Sequence, residues 1–288
     1  MKPESRATWL SVAAITILFV TLLAGFIITH QPGERLQEES LLEEETLPLA
    51  LEIVDFSTLL AVVDLNQCIV PPVAIRDVPP ELQDMDVIQE KKDAFFKMLF
   101  PIILKVNYDI LELREEILAG NVDDELYEQF QLSPEDGIER LLKRADIIPP
   151  SLVFAQAAIE SAWGTSRFAL EANNIFGHWT YVPGTGIVPA DRPAGATYEV
   201  RIFETLKDSV RAYYHNLNTN RAYREFREAR TTTKDPLELT RYLHRYSQLG
   251  AEYGKRLNSI IRFNDLLPYD DCTLLLDEDV VLAMENGD

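Results

Sequence analysis

The chain has 288 residues, 47% of them hydrophobic, enough for one globular domain of about 200 residues plus appendages. Its 27 Lys and Arg stand against 47 Asp and Glu, giving a formal charge of −20 and a pI near 4.6. Such a surface repels phosphates, which argues against nucleic acid as a partner and against docking on anionic lipid headgroups.

Lys2 and Arg6 precede an uncharged apolar stretch from Ala7 to Thr29, about 23 residues and long enough to cross a bilayer with some tilt. One transmembrane helix is expected over 7–29, with 1–6 cytoplasmic because its flank is basic. A cleaved secretory signal is the alternative, opposed by the long apolar run and the lack of a small-x-small cleavage site. Leu22-Leu23-Ala24-Gly25 has the form of a lipoprotein box, but Phe26 stands where the acylated cysteine would be.

Residues 30–70 read as an acidic linker and approach segment. Glu34 to about Pro48 is too acidic to pack and suits a tether, whereas Leu49 to Val63 fits either a strand pair or a short helix. Cys68 and Cys272 are the two cysteines. In an exported chain they either oxidise, tying the start of the folded region to its end, or remain two buried thiols. The four histidines, His30, His178, His215 and His244, show no zinc spacing, so neither metal nor cofactor is expected.

A domain over 71–269 follows, and near its start Ile75–Pro80 is an extended approach stretch that its prolines enforce. From Val87 to Leu118 the residues Phe95, Phe96, Leu99, Ile102, Ile103, Val106, Ile110, Leu113 and Ile117 recur at helical spacing, which predicts a long helix that Pro101 can kink. Asn107, Asp109, Glu112 and Arg114 read as its polar face. Gly120-Asn121 closes it, and a shorter helix is predicted from Ser133, as cap, with Pro134 at its first position, to about Ala145.

Pro149-Pro150 stops what precedes, and Ser151 is a suitable cap for an Ala-rich helix expected to reach about Leu170. Glu160 lies within it, with Gln156, Trp163 and Gly164 on its side at helical spacing. Mostly small or apolar neighbours would desolvate the carboxyl and favour the neutral acid, which keeps a proton donor loaded near neutral pH. Gly164 costs about 1 kcal/mol of helix stability relative to Ala, understandable if something approaches the backbone closely there.

Ala155-Gln156-Ala157-Ala158-Ile159-Glu160-Ser161-Ala162-Trp163-Gly164-Thr165-Ser166, followed by Asn173-Asn174-Ile175-Phe176-Gly177, resembles the signature of the bacterial peptidoglycan endo-β-N-acetylglucosaminidases, the group that includes the flagellar-rod hydrolase domain. More closely, the chain resembles the bacterial Bax family of envelope proteins that carry this domain. The similarity runs from about Pro71 to Tyr269. It implies an α+β, mainly α, lysozyme-like helical domain with a small β-hairpin wall. It also implies Glu160 as catalytic acid and peptidoglycan glycan strands as substrate. Together with the apolar N-terminus it implies a single-pass inner-membrane protein with its main domain in the periplasm.

The resemblance also directs attention to the turn after Asn174. Phe176 and Trp179 line either a core or a sugar cleft on their own chemistry, and in the family this turn borders the saccharide groove. Gln156, Trp163, Asn174, Phe176, Trp179 and Tyr181 are therefore the substrate-binding candidates. Gly184–Pro189 and Ala196–Phe203 read as two short strands around a Pro- and Gly-containing loop. Relatives of the flagellar type carry a second glutamate on the first of these strands. Here Gly186 to Val188 offers no acid, leaving Asp191 in the loop and Glu199 on the second strand as substitutes. Glu199 beside Arg201 is otherwise a surface ion pair.

Thr205 to Asn218 is predicted as a helix burying Leu206, Val210, Tyr213, Tyr214 and Leu217, continuing through Ala222, Tyr223 and Phe226. Asn216, Asn218, Tyr223, Arg227 and Arg230 either meet the substrate or simply face solvent. Pro236 opens the last helical segment. Tyr246-Ser247-Gln248-Leu249-Gly250-Ala251-Glu252-Tyr253 resembles the stretch in which these hydrolases place a cleft tyrosine, here Tyr246, with a core tyrosine as the plainer alternative. Residues 270–288 read as an acidic C-terminal tail. Gly-x-Ser-x-Gly and Gly-x-x-x-x-Gly-Lys are both absent, which disfavours a serine hydrolase or nucleotide enzyme. A catalytically silent peptidoglycan-binding module and a cell-wall amidase remain the alternatives.

Overall fold

The structure, a computed structural model, describes residues 49–276 apart from Asp191 and Ala194. The expected membrane helix at 7–29, the acidic tether as far as residue 48, Asp191 and the end of the acidic tail lie outside the described residues. Among the described residues no helix is long and apolar enough to cross a membrane. Those after Leu49 belong to one unit, Ala50–Asp288.

The segment from Leu49 to Val63 contains both of the elements its composition allows. Strand β1 (Glu52–Ile53) precedes helix α1 (Phe56–Val62), whose first turn is closed by Asp55 accepting from the Thr58 N–H at 2.9 Å. Strands β2 (Ile69–Val70) and β3 (Val73–Ala74) follow, and β3 pairs in parallel with β1. After α2 (Glu81–Asp84), the predicted long helix is α3 (Ile88–Ala119), which runs through Pro101 without ending. It buries Phe95, Phe96, Leu99, Ile102, Ile103, Val106 and Ile117, as their spacing predicts.

Asn107, expected on the polar face of α3, is buried instead. Its side chain donates to the Ile148 carbonyl at 3.0 Å and accepts from the Ile148 N–H at 3.2 Å. Ile148 precedes two prolines and has no helical partner, so a side chain must satisfy its buried backbone. Arg114 likewise leaves solvent, donating to the carbonyls of Leu142 and Ala145.

Helix α4 (Asp124–Gln129) has no counterpart in the periodicity reading. Ser133 and Asp136 form a capping box over a 3₁₀ turn, Pro134–Asp136, which leads into α5 (Gly137–Arg144). These elements cover the far end of α3, where Ile117, Tyr127, Phe130, Leu132, Leu141 and Ala145 form one apolar cluster.

The central helix α6 (Pro150–Ser161) and the short α7 (Arg167–Ala172) follow. Phe154 of α6 meets Phe96 and Phe100 of α3 at ring-centroid distances of 5.0 and 5.6 Å. The expected pair of strands is a three-stranded antiparallel sheet of β4 (Trp179–Thr180), β5 (Gly186–Ile187) and β6 (Glu199–Arg201). Its order is β4-β6-β5, with Val200 opposite both Trp179 and Ile187.

Helix α8 (Leu206–Thr219) starts at a Thr205/Asp208 capping box, and α9 (Arg224–Arg230), α10 (Pro236–Leu239) and α11 (Ala251–Phe263) complete the helical part. The solvent-facing reading of Asn218, Tyr223, Arg227 and Arg230 is corrected here, since all four are buried. Arg230 pairs with Asp146 at 3.3 Å, Asn218 donates to the Asp146 carbonyl, and Arg227 donates to the carbonyls of Leu217 and Asn220. Guanidinium and amide groups can enter the interior here because backbone acceptors and one carboxylate await them.

The chain closes on its own start. Strand β7 (Thr273–Leu274) pairs in parallel with β2, and Cys68 is disulfide-bonded to Cys272. Residues 270–276 thus pack as part of the domain rather than leaving it at Asp270.

Candidate active site

Helix α6 carries the site, and both of its ends are fixed from outside its own sequence. Ser151 is not the cap it resembles, because the helix begins one residue earlier behind Pro149. The Ser151 N–H and hydroxyl instead donate to the Asp270 carboxylate at 2.7 and 2.8 Å, so an acid 119 positions away performs the capping.

The other end comes earlier than expected. The helix stops at Ser161 rather than near Leu170, because Ala162, Trp163 and Gly164 all take positive φ, 51°, 60° and 77°. The Ser161 hydroxyl donates to the Ala157 carbonyl and accepts from the Gly164 N–H at 2.8 Å, and Ser166 starts α7 by accepting from the Ala169 N–H. Glu160 therefore sits on the last turn of α6. A Cβ at Gly164 would stand 3.1 Å from both Leu82 and Phe95 side chains, which is the close approach its presence in the motif predicts. Gly164→Ala is expected to cost about 1–3 kcal/mol through φ strain and crowding, read from the urea midpoint of unfolding.

The Glu160 carboxylate is half-buried. Its Oε1 accepts from the Tyr253 hydroxyl at 2.7 Å, and its Oε2 faces Gly177, 3.9 Å from where a Cβ there would stand. Desolvation raises the Glu160 pKa above the ordinary carboxylate value, and the Tyr253 hydrogen bond opposes that shift in part. The carboxyl thus favours its protonated form at a higher pH than a free glutamate.

A chain of hydrogen bonds stands behind it. The Tyr253 hydroxyl accepts from Gln156 Nε2 at 3.1 Å, and Gln156 Oε1 accepts from the Tyr213 hydroxyl at 2.7 Å. Every donor in this chain points towards Glu160 or is satisfied on the way, so the tyrosine arrives with its proton aimed at the carboxylate. Burial and then the Glu160 charge hold the Tyr253 phenol well above its usual pKa, so it keeps its proton and donates it to the carboxylate. Replacing Tyr253 by Phe removes a bond that favours the charged carboxylate, so Glu160 should hold its proton to still higher pH. The expected result is an upward shift of the basic limb of the pH–rate profile, measured as kcat/KM on soluble glycan; a downward shift contradicts this geometry.

Tyr246, expected in the cleft, stacks on Tyr253 with centroids 5.7 Å apart and planes 1° from parallel. Its hydroxyl donates to the Phe176 carbonyl at 3.1 Å. Phe176 stacks on Tyr213 at 4.1 Å. Tyr246 and Phe176 thus form the aromatic support behind the acid and the turn facing it. Asn174 is spent on the same turn: its amide donates to the carbonyls of His178 and Arg201, and its oxygen accepts from the His178 N–H. Both ring nitrogens of His178 are buried without a hydrogen-bond partner; burial pushes its pKa down to about 4, so it is neutral, and nothing in the structure explains its isolation.

The remaining candidates divide. Trp179 and Tyr181 on the sheet side are 50% and 72% exposed, with Trp179 edge-on to Tyr198 at 4.4 Å, and both are free to stack on a sugar. Trp163 turns towards α3 instead, against Phe95 and Phe96 at 5.8 and 5.6 Å, with the Lys92 ammonium 4.8 Å from its ring. Glu199 is not the surface partner of Arg201. It is buried, and its carboxylate accepts from the N–H groups of Gly184 and Gly186, at 3.0 and 2.9 Å to Oε2. Those bonds hold the β5 turn to β6.

Tyr253 and Tyr213 are the site residues that the sequence reading did not single out. Tyr253 lies four residues before Leu257 and eight before Ile261 on one face of α11, the pattern of an ordinary core position.

Residues 136–266 match the glucosaminidase family, described as mannosyl-glycoprotein endo-beta-N-acetylglucosaminidase, so this part of the chain is similar to the domains of that family. The chain as a whole is similar to Protein bax of Escherichia coli (strain K12), 29% identical over 210 residues that cover 65% of this chain and 75% of that relative. No solved structure matches the chain.

Proposed function

We propose that the chain is a peptidoglycan hydrolase of the endo-β-N-acetylglucosaminidase type, which cleaves β-1,4 bonds of the glycan strand. One observation carries this reading: Glu160 is a half-buried carboxyl with a raised pKa, oriented by the Tyr253 hydroxyl and left facing a glycine. Glu160 protonates the leaving glycosidic oxygen, and Trp179 and Tyr181 offer stacking surfaces for the sugars. In this reading the helical part and the small sheet wall form a lysozyme-like cleft, anchored to the inner membrane through 7–29 with the domain in the periplasm.

A second carboxylate is the usual partner of such an acid. Glu199 has both oxygens engaged by the hairpin amides, and Asp191 lies outside the described residues. The reading that asks least of the site is attack by the substrate's own acetamido group, which needs Glu160 alone and gives retention. Glu199→Gln should then keep its rate within about tenfold of wild type, whereas loss of a general base costs roughly 10²–10⁴-fold.

The commitment of Glu199 also favours a second reading, a silent module that binds glycan without cutting it. Mass spectrometry of sacculi treated with the folded domain separates the possibilities. GlcNAc at new reducing ends is the expected product. Free stem peptides would indicate an amidase, and intact sacculi with retained binding would indicate the silent module.

A further inference from the structure

A groove lined by three arginines lies on this acidic chain. This groove, of about 670 Å³, runs along the exposed face of α8 and is lined by Arg201, Arg211, Arg221, His215, Asn216 and His178. Its one acidic lining residue, Asp208, is engaged in capping α8 through Thr205. Among the described residues, no carboxylate pairs with Arg201, Arg211 or Arg221. Three arginines line one groove in a chain of net charge −20, Arg201 with its guanidinium 4.7 Å from the Phe203 ring, and like charges gathered there repel one another unless an anion lies between them.

The groove begins one residue in sequence from the acid's surroundings. His178 follows Gly177, the residue that Glu160 Oε2 faces, and the Asn174 amide joins the carbonyls of His178 and Arg201. On the opposite side, Asn216 lies beside Tyr223, whose ring is 5.9 Å from that of Tyr246 behind the acid.

We propose that this groove binds the free carboxylates of the short peptides carried by the glycan strand, so that the domain selects peptide-bearing glycan over bare glycan. The inference rests on the hydrolase reading above for the identity of the strand. Arginine suits the task because its planar fork takes a carboxylate through two parallel hydrogen bonds, which a lysine cannot do. A membrane headgroup is the weaker occupant, since the rest of this acidic surface repels an anionic bilayer.

The test is co-sedimentation of the folded domain with purified sacculi, native or with their peptide carboxylates converted to amides by carbodiimide and ammonia. Wild type should bind native sacculi roughly tenfold more tightly than amidated ones, the worth of about one charge-assisted bond, and the preference should shrink as salt is raised. Arg211→Gln/Arg221→Gln should bind both preparations equally, with an unfolding midpoint unchanged because both side chains are exposed. Equal binding of native and amidated sacculi by wild type, or a double variant that keeps the preference, overturns the proposal. No cleavage enters this readout, so its failure is separate from failure of the hydrolase reading, which is judged by GlcNAc reducing ends.

Discussion

Glu160→Gln is expected to lower the rate of glycan cleavage by about 10²–10⁴-fold with little change in the amount of glycan bound. The amide keeps the shape of the side chain and can still accept from the Tyr253 hydroxyl, which donates to Oε1 in the native site. What it cannot do is give a proton to the leaving oxygen. The same substitution should stabilise the fold once pH exceeds the folded pKa of Glu160, and the sign follows from the raised value. A carboxyl that holds its proton more tightly folded than unfolded contributes most below its unfolded pKa, and that contribution is lost as pH rises through the folded value. Above its folded pKa the native site keeps a desolvated carboxylate that glutamine removes. The gain in the variant should therefore vanish below about pH 4, where both states of the wild type are protonated. An acid retained at a cost in stability is what a catalytic position predicts, and a structural glutamate would show the opposite sign.

The second large effect concerns the disulfide. Cys68 and Cys272 are separated by 204 positions, so their bond closes almost the whole domain into one loop. On the chain-entropy account, removing so long a closure costs roughly 5 kcal/mol, and measured losses are more often about 2–4 kcal/mol. Cys68→Ser/Cys272→Ser, or the wild type under dithiothreitol, should therefore unfold at markedly lower denaturant. The effect should reach the active site, because Cys272 follows Asp270 by two residues and Asp270 caps the helix that carries Glu160. Loosening the chain end should lower activity at temperatures where the domain is still folded. Equal unfolding midpoints for oxidised and reduced protein would contradict this arrangement.

Which features could be read in advance depended on whether their cause was local. The long helix α3 was legible because its apolar stripe repeats over many turns, and α8 because Thr205 and Asp208 supply a capping box ahead of a clear stripe. Glu160 stood out because its mostly small and apolar neighbours would desolvate it and because the motif around it resembles the glucosaminidase signature. The length of α6 was misjudged, since its end depends on three consecutive left-handed residues that sequence spacing does not reveal. Ser151 looked like a cap, yet the capping group is Asp270, brought from the far end of the chain. Asn107, Arg227 and Arg230 looked like surface because polarity alone does not show that a buried carbonyl or Asp146 awaits them. Tyr253 was hidden for the converse reason. A tyrosine at core spacing is ordinary until its hydroxyl is seen to end on a carboxylate.

The central claim is that Glu160 is a proton donor loaded by its surroundings, and the most direct measurement is a ¹³C NMR titration of its carboxyl carbon, assigned by loss of the signal in Glu160→Gln. The midpoint should lie above 4.5, the ordinary value for this side chain, and should move higher still in Tyr253→Phe. A midpoint at or below 4.5 in the wild-type domain would contradict the account.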